Sequence, residues 1–552
     1  MRRLLFLAAL LTISGAAIAK PLTIGITQYP STLHPAIDSM LAKSYVLGLS
    51  ARPFVVFDAD WKPVCMVCES LPTLENGGAE RIAVSKDVGD GSGAGMAVTF
   101  RIKEGTTWAD GTPVTVDDVI FAWEVGKHPD TGVPDAESYR RILEVRKLDD
   151  RTFTLINDRV TFRYNLVAVV PLPAHIERDV FEADPKTYRN RTKYVTAPTT
   201  PGLYFGPYRV SAVQTGASIT LEPNAHWMGA KPAFERILIR AVGNTAALEA
   251  NLRSGAVDYI AGELGLSIDQ AIALERRARG RYRFEYRPGL IYEHMDADLD
   301  HPVLEDRRVR QALLLGADRQ AISAALFGGK QPVANGPVAP ADPAATDDLP
   351  VYEYDPKAAA ALLDKAGWTM GDGNLRRNAD GEPLRFNFMT TAGNRLRELT
   401  QQALQSGWRK LGIDAQIKNQ PARVFFGETI SKRQVGGLAM YAWLSAPENP
   451  PRTTLHSEMI PTEANGWAGQ NYPGYVNPEV DALLDAIETE LDVGKRRALW
   501  VKLQKIYATD LPALPLFFRA QPFVFPKWLT GVRPTGHQYS TTLWVEEWKD
   551  GR

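Results

Sequence analysis

The chain of 552 residues has little cysteine, no marked excess of either charge and, after its first residues, no long apolar run. Lysine and arginine number 63 against 64 aspartate and glutamate residues, so the basic surface that nucleic acid requires is not indicated. No later segment reaches the roughly 20 apolar residues of a transmembrane helix, so we expect no membrane insertion of the mature chain. With 45% hydrophobic and 23% charged residues, the composition is typical of a globular protein with two or three cores.

Residues 1–19 have the pattern of a cleavable signal peptide. Arg2 and Arg3 precede an apolar run from Leu4 to about Ile13, and small residues follow up to Ala19. This order of a basic start, a short apolar stretch and a small-residue cleavage site directs secretion. We therefore expect a mature protein that is soluble and periplasmic.

The two cysteines, Cys65 and Cys68, form the chain's single C-x-x-C pair. A structural zinc site would need about two further ligands, but there is no second such pair and the eight histidines are scattered. In an exported protein, a short-loop disulfide between Cys65 and Cys68 or two unpaired thiols is expected instead of redox chemistry. We predict no bound metal.

The sequence also lacks the common catalytic signatures. It contains no G-x-S-x-G, H-E-x-x-H, phosphate loop or dinucleotide-binding fingerprint. Asp296, Asp298 and Asp300 imitate the start of a calcium loop, but His301 and Arg307 occupy the positions of the required glycine and glutamate. We interpret this run as a strand with one polar face, and we predict neither an enzyme nor a cofactor.

The stretch WADGTPVTVDDVIFAWE, residues 108–124, raises the question of a carboxylate site. Asp110-Gly111 is typical of a turn, and Thr115 followed by Asp118 has the spacing of a capping box. Acidic residues in a first helical turn also complement the helix dipole. We interpret these aspartates as the start of a helix.

Strand-like and helix-like segments alternate along the chain, which predicts the α/β class. The glycine-rich run DVGDGSGAG, residues 87–95, predicts a hairpin turn. Helices are predicted near residues 245–254, after Asp355-Pro356, from about 396 to 411, and after Asn477-Pro478.

Seven segments, taken in order, resemble the family 5 extracellular solute-binding proteins of ABC transporters, the dipeptide, oligopeptide and nickel binding group. They are TFRIKEGTTWADGTPVTVDDVIFAWE; FGPYRV with LEPNAHWMGAKPAFERILI and ANLRSGAVDYI; EDRRVRQALLLGADRQAI; YDPKAAAALLDKAGW; and NYPGYVNPEVDALLDAIETELDVGKRRALWVKLQKIYATDLPALPLF.

The resemblance implies a two-lobed periplasmic-binding-protein fold with a hinge and an extra subdomain inserted in lobe I. We expect lobe I to begin with residues 20–54, continue after the inserted subdomain 55–185 with residues 186–284, and return with 506–552. Lobe II is expected to span 285–505. The solute would lie between the lobes, in a monomer that presents both lobes to the permease subunits.

The resemblance also implies a binding segment. In peptide-binding relatives an aspartate in a G-W-x-x-D-type segment pairs with the amino terminus of the peptide. In LAMYAWLSAPENPPRT, Trp443 matches the tryptophan, but Ser445 and Ala446 stand near the aspartate position, so Glu448 or Asn449 is expected to substitute. We expect aromatic and polar residues to form the pocket wall: Tyr29, His34, Met40, Tyr292, His294, Tyr441 and Trp443.

The function implied is capture of a peptide or peptide-like solute for an ABC importer, with no bond made or broken. The alternative is a receptor for a nickel chelate, haem, opine or oligosaccharide, which the missing aspartate favours. A secreted hydrolase and a chaperone or signalling receptor on the same fold are the other hypotheses.

Overall fold

A computed structural model describes residues 21–167, 169–278 and 280–552. The predicted signal peptide, residues 1–19, lies outside the described residues. Helices and strands alternate along the chain, which confirms the predicted α/β class. In the described part of the chain, no helix has the length and apolar character needed to cross a membrane.

The strands are numbered in chain order. The first eleven are β1 (Leu22–Ile26), β2 (Val55–Phe57), β3 (Pro63–Cys65), β4 (Ala79–Ala83), β5 (Ala94–Arg101), β6 (Ile142–Lys147), β7 (Thr152–Asn157), β8 (Tyr208–Gln214), β9 (Ser218–Pro223), β10 (Ile237–Ala241) and β11 (Tyr259–Ile260). The others are β12 (Tyr282–Ala297), β13 (Thr369–Met370), β14 (Arg376–Arg377), β15 (Arg385–Met389), β16 (Asp414–Ile417), β17 (Gly437–Leu444), β18 (Ala513–Pro526), β19 (Leu529–Thr530) and β20 (Lys549–Asp550).

The helices are numbered in the same way. The first eight are α1 (Leu41–Ser50), α2 (Val116–Lys127), α3 (Ala136–Arg140), α4 (Ala174–Ala183), α5 (Tyr188–Arg191), α6 (Lys193–Thr196), α7 (Thr245–Ser254) and α8 (Ile268–Ala278). The others are α9 (Arg307–Leu315), α10 (Arg319–Phe327), α11 (Pro356–Lys365), α12 (Arg395–Lys410), α13 (Ala422–Val424), α14 (Arg452–Leu455), α15 (Pro478–Thr489) and α16 (Val493–Asp510).

The stretch of residues 108–124 is architecture, as predicted. Thr115 and Asp118 form a complete capping box at the start of α2. The buried Asp118 carboxylate accepts hydrogen bonds from the Trp108 indole, from the Thr115 N–H and from the Ala174 N–H. Because its oxygens are committed to these donors, this carboxylate has a structural role in joining α2 to α4.

The largest sheet of the described chain has ten strands in the order β16-β15-β17-β12-β18-β11-β1-β10-β9-β8. At its centre the two long strands β12 and β18 pair antiparallel from Tyr282↔Pro526 to Asp296↔Ala513. A second sheet, β4-β5-β7-β6, falls inside the range expected for the inserted subdomain. The long pair therefore connects the two halves of the main sheet.

The two largest hydrophobic cores of the described chain both include residues of β18. The first contains residues from β1 to Leu264 and then Phe523, Phe525 and the C-terminal segment. The second contains residues from Ile268 to Leu438 and then Leu514, Leu516 and Phe517. The chain thus returns to the first core within β18, between Ala520 and Phe523. Residue 505, the expected boundary, lies inside α16.

Candidate functional site

An open cavity lies beside β12 and β17, and about 120 Å³ of it can hold the centres of water-sized molecules. Its polar wall consists of Tyr292, His294, Asp296, Ser445, Asn449, Thr453, Thr454, Gln470 and Tyr507. Its apolar wall includes Trp443, Leu444, Pro451, Leu455 and several prolines. This mixture of aromatic surface and a few polar groups is typical of small-molecule sites.

Alternation along β12 places Tyr292, His294 and Asp296 on one face of the sheet, because successive strand residues point to opposite sides. The His294 ring stacks on Tyr292 with 5.0 Å between ring centroids and meets Tyr441 edge to face at 4.7 Å. These contacts bury His294 to 1% exposure, although it contributes to the cavity wall. The rings therefore hold one another in fixed orientations.

Asp296 lies against two of these neighbours. The Tyr441 hydroxyl donates a hydrogen bond to Asp296 Oδ2. His294 Nε2 lies 3.2 Å from Asp296 Oδ1, but it makes no hydrogen bond within the described chain. The carboxylate is thus buried and positioned at the wall of the cavity.

Three tyrosines around the cavity keep their protons. Burial raises the pKa of Tyr441 well above its usual range, and the neighbouring Asp296 charge raises it further. Burial also raises the pKa of Tyr292 and of Tyr507, whose hydroxyl oxygens lie 3.1 Å apart. All three phenols therefore stay protonated at neutral pH; the Tyr441 proton is donated to Asp296, and one proton of the Tyr292 and Tyr507 pair is shared between their two hydroxyls.

Trp443 and Leu444, at the end of β17, form the apolar side of the cavity. Trp443 stacks on Tyr472 with ring centroids 6.0 Å apart and meets Tyr441 edge to face. Leu444 is 66% exposed, although its neighbours in β17 are largely buried. An exposed leucine beside a braced tryptophan offers apolar contact to a bound solute.

The two substitutes expected for the missing aspartate differ in position. Asn449 lines the cavity, but its Oδ1 accepts a 2.7 Å hydrogen bond from Arg163 Nη1. Glu448 is not among the residues that line the cavity, and burial raises its pKa against the opposing charges of Arg496 and Arg163. Its backbone N–H donates to Asp342, whose own pKa burial raises to about 6.

Arg163 belongs to the loop 161–166, which follows β7 and reaches the α15–α16 region. The N–H of Phe162 donates a 3.0 Å hydrogen bond to the Glu488 carbonyl oxygen. The Phe162 ring is 8% exposed, packs in a core cluster with α15 and α16, and lies under the Arg496 guanidinium at 4.4 Å. This loop therefore connects the segment after β7 directly to α15 and α16, beside the cavity.

The three site residues expected near the N terminus lie outside the cavity wall. His34 is fully buried, its Nε2 is 3.1 Å from the Tyr188 hydroxyl, and its Nδ1 accepts from the N–H groups of Ala36 and Ile37. Tyr29 packs against the first core. Met40 Sδ accepts a hydrogen bond from Ser31.

Of the nine expected ligand-binding residues, the structure thus brings Tyr292, His294, Trp443 and Asn449 together at the cavity. Tyr441 stands directly behind His294, and burial to 1% exposure separates it from the cavity space. Sequence reasoning missed Asp296, although the alternation of Tyr292, His294 and Asp296 was a signal for it. It also missed Arg163, which no local pattern marks.

Cys65 and Cys68 are joined by a disulfide at the end of β3. The described residues contain no group of three or more histidine, cysteine, aspartate or glutamate side chains placed to hold a metal ion.

Residues 81–457 match the family model of the bacterial extracellular solute-binding proteins, family 5 Middle. The chain belongs to this family. The match covers more than half of the chain, including β12, β17 and most of the cavity wall. The fold expected from the resemblance, a two-lobed solute-binding protein, is thereby confirmed.

Two relatives of this family 5 protein match along nearly their full length. The oligopeptide-binding protein OppA of Bacillus subtilis (strain 168) is 25% identical over 527 residues, which cover 93% of this chain and 90% of OppA. The crystal structure of an oligopeptide binding protein from Thermus thermophilus, complexed with a pentapeptide, is 29% identical with a TM-score of 0.67. That match covers 96% of each chain.

The same fold also occurs in a solved structure with a different ligand. NikA from Brucella suis, in complex with Fe(III)-EDTA, superposes on this family 5 protein with a TM-score of 0.75 and 17% identity. The match covers 96% of this chain and all of NikA. At this identity the likeness shows the fold alone.

Proposed function

We propose that this protein is the peptide-capturing receptor of an ABC importer and delivers its solute to the permease subunits. The observation that carries the proposal is a cavity of peptide-compatible chemistry in a chain that matches oligopeptide-binding proteins over nearly its whole length. Trp443 and Leu444 offer apolar contact to side chains, and the paired hydroxyls of Tyr292 and Tyr507 offer a hydrogen bond to a peptide backbone.

In this proposal the solute is bound without chemical change. A hinged protein that contacts its ligand from both halves is shifted by that ligand toward the closed form. The contact between the loop 161–166 and the α15–α16 region supports such a form here, because it lies beside the cavity and joins the two halves. The permease then distinguishes the loaded receptor from the empty one by shape.

We further propose that the receptor acts as a periplasmic monomer. The signal-peptide pattern of residues 1–19 supports export, and cleavage after Ala19 leaves Lys20 at the N terminus. N-terminal sequencing of protein released by osmotic shock tests the export and the cleavage site. A mature chain that still carries Arg2 and Arg3 contradicts it.

The receptor for a non-peptide solute is the second candidate, because Ala446 stands where peptide-binding relatives have an aspartate. Native mass spectrometry of the unrefolded protein, followed by thermal-shift screening with tripeptide pools, nickel–histidine, haem and oligosaccharides, separates the two. A ligand at a hundredfold excess over its dissociation constant stabilises the folded form by about 2.7 kcal/mol. Stabilisation by tripeptides supports the proposal; stabilisation only by a chelate, haem or sugar overturns it.

A further inference from the structure

The cavity contains one carboxylate among the described residues that line it, that of Asp296. It is 7% exposed and lies on the boundary with a smaller neighbouring cavity, whose wall it shares with Asp298, Arg433 and Tyr472. The Arg433 guanidinium does not neutralise it, because that group pairs with Asp300 at 2.6 Å. Apart from His294, no cationic side chain in the described chain lies within ion-pair distance of Asp296.

A buried carboxylate without a lysine or arginine partner is unfavourable, because burial removes its hydration without replacing the lost interactions. Tyr441 supplies one hydrogen bond to Oδ2, but each carboxylate oxygen has a second acceptor position. The site therefore has an oriented negative group with acceptor capacity to spare. A cation brought by the solute would satisfy it.

The two residues expected from the sequence to take this role are already engaged. Glu448 is outside the cavity wall and faces the charges of Arg163 and Arg496. The Asn449 side-chain oxygen accepts from Arg163, and the guanidinium charge held there repels an ammonium.

We infer that Asp296 is the residue that binds a protonated amine of the solute, in place of the aspartate that is missing near Ala446. The inference rests on the proposed capture of peptides for its choice of ligand, a free amino terminus. A charge-assisted hydrogen bond from an ammonium to a positioned carboxylate gives affinity and orientation together. Trp443 and Leu444 then face the adjoining part of the solute.

The experiment compares free-amine and N-acetylated trialanine, together with the polyamine spermidine, by isothermal titration on the full mature chain. Wild-type protein is expected to bind the free amine at least about tenfold more tightly than the acetylated form, as a charge-assisted bond implies. Asp296→Asn is expected to abolish that ratio and to leave binding of the acetylated form unchanged. Asp380→Asn, at an exposed aspartate outside both cavity walls, is the control and keeps the wild-type ratio.

The titrations with different ligands and variants distinguish failure of the inference from failure of the proposed function. Peptide binding with the amine preference intact in Asp296→Asn, or lost in Glu448→Gln, overturns the inference and leaves peptide capture standing. Binding of spermidine but not of peptides, abolished by Asp296→Asn, supports the inference and overturns peptide capture. Failure of every amine to bind wild-type protein overturns both.

A second measurement does not depend on the stability of the variant. In a crystal structure of wild-type protein with trialanine, the ammonium nitrogen is expected within hydrogen-bond distance of the Asp296 carboxylate. An ammonium placed at Glu448 instead overturns the inference.

Discussion

The backbone N–H of Phe162 donates a 3.0 Å hydrogen bond to the carbonyl oxygen of Glu488, so the loop after β7 is anchored on the end of α15. The Phe162 ring extends the same contact into the cluster formed by Leu484, Ile487 and Trp500. In a hinged receptor, a contact of this kind exists only when the two halves are together, and it then stabilises the closed form.

Replacement of Phe162 by alanine is therefore expected to weaken solute binding by about tenfold, because the closed form loses a buried aromatic anchor. The effect should appear in isothermal titration with a peptide that stabilises the wild type. Small-angle scattering of the loaded variant should give a larger radius of gyration. Leu148→Ala, which removes a side chain that is 57% exposed, is the control. Unchanged affinity and radius would show that this loop does not contribute to closure.

Trp443 is expected to contact the bound solute directly, since it lines the cavity and packs against Tyr472 and Tyr441. Trp443→Ala should lower affinity for a binding peptide by about tenfold, the usual consequence of removing an aromatic anchor. The midpoint of thermal unfolding without ligand should change little, because Trp443 is only partly buried. Trp443→Phe should recover part of the affinity. A variant with wild-type affinity would place the solute elsewhere.

The disulfide between Cys65 and Cys68 leads to a prediction about reduction. The protein purified without reductant should show no free thiol when it is unfolded, and its mass should lack two hydrogen atoms. Because the closed loop is very short, reduction should cost about 2 kcal/mol or less of unfolding free energy. Thiol titration measures the free thiol content, and urea unfolding with and without reductant measures the loss of unfolding free energy. Two free thiols per chain would contradict the bond, and a much larger loss would indicate a further role.

Much of the local structure could be predicted, because capping and turn residues in the sequence mark where helices and strands begin and end. The capping box at Thr115 starts α2, and the glycine-rich run 87–95 links β4 to β5 as a hairpin with Ala83 opposite Ala94. α7 spans Thr245–Ser254, as predicted, and Asn244 and Gly255 cap its two ends. These signals act over a few residues and need no tertiary context.

The site was less accessible to sequence reasoning, because its geometry depends on contacts between distant segments. Trp443 could be recognised from its segment, but the commitment of Asn449 to Arg163 could not, since their side chains meet only after folding. Histidine is a residue type that often binds ligands. In His34, however, both ring nitrogens are engaged by the Tyr188 hydroxyl and by backbone N–H groups. Asp296 was visible only as one member of an alternating strand.

His34 gives a pH prediction of known sign. Burial, reinforced by the charge of Lys43, lowers its pKa from 6.5 to about 3. The folded state therefore keeps His34 neutral while the unfolded chain takes up a proton, so stability is complete above pH 6.5 and is lost as pH falls from 6.5 toward 3. Between pH 7.5 and pH 5 this one group should cost about 2 kcal/mol of unfolding free energy.

The matched comparison is His34→Gln, which keeps a hydrogen-bonding group toward Tyr188 but does not titrate. His226→Gln, at an exposed histidine, is the control. Urea unfolding followed at pH 7.5, 6 and 5 should show a smaller loss of stability for His34→Gln than for the other two proteins. Because Asp342, with its pKa raised to about 6, opposes the trend in all three, the difference between variants isolates the histidine. Parallel pH profiles would mean that the His34 ring gains a proton without unfolding.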